Sequence, residues 1–137
     1  MYNFQLGKGV VLHEGSKVAI VATGLMVQEA LKAKEALVKL GVNPTVVNIH
    51  TIKPMDSDLL IHLAQEHDII ITCEEHNVMG GLGSAVSEVL SPYNLCKILM
   101  LGIQDTFGES GTPDDLLEKY GLTARHVVEM TLKAVGK

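Results

Sequence analysis

The stretch that decides the fold is VAIVATGLMVQEALKAKEALVKLGVNPTVVNIH, residues 18–50. It holds two short apolar runs rich in β-branched residues, VAIVAT (18–23) and TVVNIH (45–50), with a charged, periodically apolar segment between them. Runs that are almost continuously apolar are typical of strands buried on both faces, and such strands are usually parallel. We therefore predict a parallel β–α–β unit whose middle segment is the crossover helix.

The crossover helix has a clear inner face and a clear end. Gly41 stands where a left-handed residue commonly stops a helix, and Asn43-Pro44 turns the chain into the next strand. The apolar residues expected to pack on the sheet lie on one side of the segment: Val27, Ala30, Leu31, Leu37 and Leu40.

The same alternation continues through the rest of the chain. DIIITC (68–73) and KILMLGI (97–103) predict two more strands, and GVVLHEG (9–15) predicts a short one at the start. Asp56 or Ser57 can cap the second helix, and further helices are predicted from about Gly83, from Thr112-Pro113 and from Thr123. The inner residues of the second and third helices are predicted to be Leu59, Leu60, Leu63, Ala64, Leu82, Val86, Val89 and Leu90. This pattern predicts one α/β domain with helices on both faces of a mostly parallel sheet.

Composition narrows the classes of function. The 137 residues are 47% hydrophobic and carry a net charge of −5, which argues against nucleic acid or an anionic membrane as a partner. The first residues lack a signal-peptide pattern, and no apolar run reaches membrane length. Cys73 and Cys96 are expected to be buried free thiols in a reducing compartment, so we predict a cytoplasmic protein.

Ligands of open parallel sheets usually bind beyond the carboxyl ends of the strands, here ATGLM (22–26), IHTIKPMD (49–56) and CEEHNVMGG (73–81). None of these loops carries a dinucleotide fingerprint, a P-loop or a nucleophile elbow, and VAIVATG (18–24) offers no acidic pair or aspartate for a phospho-receiver. The commonest stand-alone enzymes of this architecture are therefore excluded.

Two sets of residues resemble metal ligands only weakly, and capping of strand ends or a polar helix face explains them as well. One would combine Glu74, Glu75 and His76 with His50, and the other would use His62 and Glu66, four residues apart on a helix. Neither has a strong ligand signature, so no metal is predicted.

The glycines at 80, 81 and 83 could let a helix start meet an anion, because exposed amides and the helix dipole attract negative charge. No lysine or arginine lies near this loop, the nearest in sequence being Lys53 and Lys97. A tight strand-to-helix turn is the favoured interpretation, and a bound anion stays open.

Four blocks carry a family resemblance: residues 4–31, VVNIHTIKPMD (46–56), EEHNVMGGLGSAVSEVL (74–90) and residues 105–129. In this order and spacing they resemble the C-terminal domain of transketolase, and most closely the C-terminal section of split bacterial and archaeal transketolases. The resemblance implies a three-layer α/β/α sandwich with a five-stranded mixed sheet. It also implies that the first strand is antiparallel and that the second lies between the third and the fourth.

Transketolases of the pentose phosphate pathway transfer a two-carbon ketol unit between sugar phosphates, using thiamine diphosphate and a divalent metal. In that family a G-D-G motif of the N-terminal domain holds the diphosphate and metal, and a glutamate of the pyrimidine-binding domain activates the cofactor. This sequence has no Gly-Asp pair. The resemblance therefore implies that residues 1–137 are one C-terminal domain, without catalytic, cofactor or metal residues and inactive alone.

Such a chain would be an excised domain or a short subunit. It would serve assembly with the remaining transketolase domains and the homodimer interface of the full enzyme. The alternatives are the equivalent domain of 1-deoxyxylulose-5-phosphate synthase or of a 2-oxo-acid dehydrogenase β subunit, an independent small-anion-binding module, and a purely structural domain. The candidate domain-interface or switch-point residues are Thr23, Gly24, His50, Glu74, Glu75, His76, Gly80, Gly81 and Gly83.

Overall fold

The computed structural model describes residues 8–50, 55–77, 81–103 and 123–137, with the backbone alone for 75–77 and 103. The strands are β1 (Val10–His13), β2 (Lys17–Ala22), β3 (Thr45–Asn48), β4 (His67–Asn77) and β5 (Lys97–Ile103). The helices are α1 (Met26–Lys39), α2 (Ser57–Glu66), α3 (Leu82–Leu90) and α4 (Ala124–Ala134). The helix predicted to start at Thr112-Pro113 lies outside the described residues. None of the described helices is long and apolar enough to cross a membrane.

The five strands form one mixed sheet in the order β1-β3-β2-β4-β5. β1 is antiparallel to β3, whereas β2 is parallel to both β3 and β4, and β4 is parallel to β5. The predicted strand order and the antiparallel first strand are therefore confirmed. β3 lies on one side of β2, and the next strand in the chain, β4, lies on the other side. The direction in which strands are added therefore reverses beside the end of β2.

Each face of the sheet has its own core. On one face the buried side chains of β2 and β4 pack against α1 and α4, with Met26, Leu37 and Val127 at the centre. On the other face they pack against α2 and α3, through residues such as Leu60 and Leu82. The predicted three-layer α/β/α arrangement is confirmed, with helices covering both faces.

The inner face of α1 was predicted correctly except at its end. Ala30 and Leu37 are buried, and Val27 and Leu31 are partly buried against the same core. The prediction that Leu40 packs on the sheet is wrong, because this residue is 51% exposed. The helix has already ended at Lys39, and Leu40 is the capping residue from which Gly41, at φ +86°, turns the chain away.

The other helices match their predicted starts and inner faces. Asp56 caps α2 by accepting a hydrogen bond from Leu59 N at 3.2 Å, and Thr123 is the capping residue of α4. α3 begins at Leu82, one residue before the predicted start. The buried residues are Leu60, Leu63, Ala64, Leu82, Val86 and Leu90, while Leu59 and Val89 are partly buried.

Candidate functional site

The carboxyl ends of β2, β3 and β4 meet at one edge of the sheet, which we call the carboxyl edge. Thr23 N donates a hydrogen bond to the Cys73 carbonyl at 3.2 Å, and Ile49 N donates to the Ala22 carbonyl at 2.9 Å. Gly24 follows with φ +61°, a conformation that glycine adopts without strain. The structure therefore places Thr23 and Gly24 between the end of β3, where His50 follows, and β4.

Glu74 is placed differently from the sequence prediction. The sequence predicted that Glu74, Glu75 and His76 lie in the loop after the strand, but β4 continues to Asn77. The pairing of β4 with β5 is irregular between Cys73 and Asn77. Glu74 itself is only 1% exposed, and its Oε2 accepts a hydrogen bond from Gly83 N at 2.7 Å. Its carboxylate is thus turned into the protein instead of towards solvent.

This carboxylate caps α3 from a distance in sequence. The helix starts after Gly81, which has no side chain to accept a hydrogen bond from the first amides. Glu74 supplies the missing acceptor and puts negative charge at the positive end of the helix dipole. A carboxylate a few residues before a glycine at a helix start was the signal in the sequence for this contact.

The remaining predicted site residues are only partly described. Glu75 and His76 belong to β4 by their backbone, and Gly80 lies outside the described residues. Gly83 allows α3 to approach the sheet closely, since a Cβ there would lie 2.7 Å from Met100 Sδ and 3.1 Å from Thr72 Oγ1. At position 83 the glycine is explained by close packing inside α3, whereas the sequence interpretation had favoured a tight turn before the helix.

The two cysteines differ in burial. Cys73 is fully buried, as predicted, whereas Cys96 is only partly buried, so that half of the prediction is wrong. Burial, and secondarily the negative charge of the adjacent Glu74, raises the pKa of the Cys73 thiol to about 12. Cys73 therefore has no reactive thiolate at neutral pH, and it fills the core as a small apolar side chain.

The raised pKa of Cys73 predicts a stability change at high pH. The folded chain keeps a proton that the unfolded chain loses above about pH 9, so the contribution is fully present below pH 9 and is lost as the pH rises towards 12. The slope from this one thiol approaches about 1.4 kcal/mol per pH unit. Urea unfolding measured across this range should show a shallower decline for Cys73→Ala, whatever its stability at pH 7. Burial also raises the pKa of the partly buried Cys96 thiol, so Cys96→Ala is the comparison variant and should change the slope less than Cys73→Ala. Equal slopes in all three proteins would contradict the assignment.

The opposite edge of the sheet carries a cavity of about 280 Å³. Three of its lining residues form a hydrogen-bonded network: Gly15 N donates to Thr45 Oγ1 at 2.9 Å in a partly buried contact, and Thr45 Oγ1 lies 2.7 Å from His67 Nε2 in a buried one. His67 Nδ1 donates to the Leu63 carbonyl at 2.8 Å, because a carbonyl oxygen can only accept. Sequence analysis did not find this network, because its members come from separate elements.

The metal pair His62 and Glu66 lies at the wall of this cavity, near Glu14 and His67. Within residues 8–50, 55–77, 81–103 and 123–137, no group of three or more His, Cys, Asp or Glu side chains is arranged to hold a metal ion. The pair therefore lacks the further ligands that a tight metal site needs.

Comparison with known proteins agrees with this geometry. The model of the transketolase C-terminal domain family matches residues 7–127. The chain belongs to this family. It is 44% identical over 125 residues to the 6-deoxy-6-sulfo-D-fructose transketolase subunit SqwH of Clostridium sp. (strain MSTE9), covering 91% of this chain and 39% of that protein. It is also 39% identical over 132 residues to the 1-deoxy-D-xylulose-5-phosphate synthase of Caldanaerobacter subterraneus subsp. tengcongensis. This match covers 96% of this chain and 21% of that protein.

The fold is also similar to that of a solved transketolase. A solved structure of a split-gene transketolase, described as an inactive β4 tetramer, matches with a TM-score of 0.91 and 47% identity. The match covers 98% of this chain and 44% of that one. The transketolase C-terminal domain thus spans less than half the length of each of these three proteins.

Among the described residues, the start of α3 and the acidic side chains do not form a site for a diphosphate and its metal. A diphosphate needs amide or cationic donors, and its metal needs several oxygen ligands. At α3 the Gly83 amide already donates to Glu74, and the described side chains form no group of three metal ligands.

Proposed function

We propose that this chain is the C-terminal section of a transketolase-type enzyme that transfers a two-carbon ketol unit between sugar phosphates, and that its task is assembly. The observation that carries the proposal is the match of nearly the whole chain to a split-gene transketolase at a TM-score of 0.91. A chain that folds as this section alone is expected to act together with the sections that complete the enzyme.

The division of chemistry between the sections is part of the proposal. The partner section holds thiamine diphosphate and its metal and activates the cofactor, while this chain contributes none of those groups. Two observations support this division: the sequence has no Gly-Asp pair, and the described residues lack a three-ligand metal group. The assembled enzyme is proposed to be a cytoplasmic homodimer of the complete unit.

The carboxyl edge is the proposed contact with the neighbouring section. Thr23, Gly24 and His50 lie there, and the β4 residues Glu75 and His76 extend it beyond the buried Glu74. Glu74 acts indirectly, since its carboxylate is bonded inside the chain and fixes the start of α3. The exposed Leu25, beside Gly24, adds an apolar side chain to the same edge.

Reconstitution tests the proposed function. The purified chain is mixed with the polypeptide from the same genome that carries the G-D-G motif and a pyrimidine-binding domain, and ketol transfer from xylulose 5-phosphate to ribose 5-phosphate is followed. We expect turnover in the mixture only, together with a stable complex in size-exclusion chromatography. Turnover by this chain alone would overturn the division of chemistry, and failure to associate would overturn the assembly role.

A second function has a specific observation in its favour. The synthase relative covers 96% of this chain at 39% identity, so the chain could complete a 1-deoxyxylulose-5-phosphate synthase instead. The same mixture distinguishes the two, since formation of 1-deoxyxylulose 5-phosphate would assign the alternative activity.

A further inference from the structure

Three described helices begin on a carboxylate supplied by the chain itself. The Leu59 amide in α2 donates to Asp56 Oδ1 at 3.2 Å, and the Gly83 amide in α3 donates to Glu74 Oε2 at 2.7 Å. In α4 the first amide, that of Ala124, donates to Glu29 Oε1 at 3.0 Å. Two of these three acceptors come from another element, because Glu74 belongs to β4 and Glu29 to α1.

All three helix starts lie at the carboxyl edge. α2 leads without a gap into the start of β4, so it runs back along the sheet from that edge, and α3 follows the end of β4. Glu29 is in the first turn of α1, which begins four residues after β2 ends, and its bond to Ala124 holds the start of α4 there. The positive ends of these three helices thus share one side of the molecule.

We infer that the chain occupies its own anion sites at the starts of α2, α3 and α4, so that these three helix starts do not bind the phosphate groups of substrates or cofactors. Helix starts attract phosphate through free amides and the helix dipole. Here Glu74 is 1% exposed and Asp56 is 8% exposed, so a phosphate would have to displace a buried carboxylate. The Coulomb repulsion between two anions opposes its approach.

The Glu29 carboxylate accepts one hydrogen bond at each of its two oxygens. Its Oε2 accepts from Lys32 Nζ at 3.2 Å while its Oε1 accepts from Ala124, which fixes the carboxylate between α1 and α4. The inference concerns anion binding by this chain and stands independently of the proposed assembly. It also argues against anion binding by the Gly83 amide, a possibility that the sequence left open.

Titration with inorganic phosphate at constant ionic strength tests the inference, with amide shifts of the isotope-labelled full chain as the readout. In the unaltered chain we expect no saturable shift at the amides of Leu59, Gly83 and Ala124. In Glu74→Ala the vacated helix start should bind phosphate, seen as a saturable shift of Gly83 alone, with an affinity at least about tenfold above the upper limit set by the unaltered chain. Formate, which replaces the deleted carboxylate, should raise the melting temperature of Glu74→Ala and leave that of the control Glu88→Ala unchanged.

The outcomes separate clearly. Saturable phosphate shifts at these amides in the unaltered chain would overturn the inference, as would a folded Glu74→Ala that responds to neither anion. If Glu74→Ala does not fold, Glu74→Gln keeps the shape and removes the charge. Loss of the charge-assisted bond should then move the Gly83 amide proton upfield, and an unchanged proton shift would overturn the inference. These measurements need no partner section, so their failure is distinct from a failure of assembly.

Discussion

Gly15→Ala is expected to lower the free energy of unfolding by at least about 3 kcal/mol, the largest effect of any substitution considered. Gly15 lies in the turn between β1 and β2, pressed against the backbone of Asn43 and Pro44. A Cβ on residue 15 would lie 2.0 Å from the Asn43 carbonyl oxygen and 2.6 Å from the Pro44 carbonyl carbon. Both are backbone atoms, so no side chain can rotate to relieve the overlap.

The Asn43 backbone cannot easily move away from an alanine at position 15. The Ser16 amide donates to the Asn43 carbonyl at 2.8 Å, and the Asn43 side-chain oxygen lies 2.7 Å from His13 Nε2. Displacement of this segment would also pull Thr45 from its bond with Gly15 N. The clash is therefore relieved only by opening the turn and the start of β3.

Thermal unfolding checks this expectation, with a fall in Tm of roughly 10 °C or more for Gly15→Ala. Gly136→Ala is the matched control, since Gly136 has φ +80° but no atom within 4 Å of its added Cβ. That variant should lose only about 1 kcal/mol, from backbone strain. Equal losses in the two variants would show that the close approach at Gly15 is relieved without cost.

The sequence predicted the parts of this fold that local signals specify. The β-branched runs identified four of the five strands, and Gly41 and Asp56 marked a helix end and a helix start. These features depend on residues within one turn or one strand, where periodicity and capping operate. Leu40 was misplaced because a period continues in the sequence after the helix has stopped.

The candidate site was harder to predict because its contacts join distant residues. The sequence placed Glu74 at the correct edge, yet its inward orientation depends on how α3 packs beside β4. The approach of Gly15 to Asn43 joins residues that lie 28 positions apart, and no local pattern encodes that distance. The family resemblance supplied the strand order, which composition and periodicity alone did not give.

Thr45→Val is expected to lower the free energy of unfolding by about 2–4 kcal/mol. The Thr45 hydroxyl accepts from Gly15 N and donates to His67 Nε2, and Thr45 is only 4% exposed. Valine has nearly the same shape but leaves two polar groups without this partner, the buried His67 Nε2 and the partly buried Gly15 N. The full penalty of an unsatisfied buried group is incurred at the start of β4, and a smaller one at the turn before β2.

Thr72→Val provides a matched control, because Thr72 is also a buried sheet threonine, at 1% exposure. Its Oγ1 has no hydrogen-bond partner among the described residues, so valine removes an unsatisfied hydroxyl and should leave the stability unchanged or raise it by about 1 kcal/mol. Urea unfolding of both variants measures the difference, which we expect to be at least about 2 kcal/mol. Similar stabilities of the two variants would show that the hydrogen bonds joining Gly15, Thr45 and His67 contribute little to the free energy of unfolding. Apolar packing alone would then hold this part of the cavity lining in place.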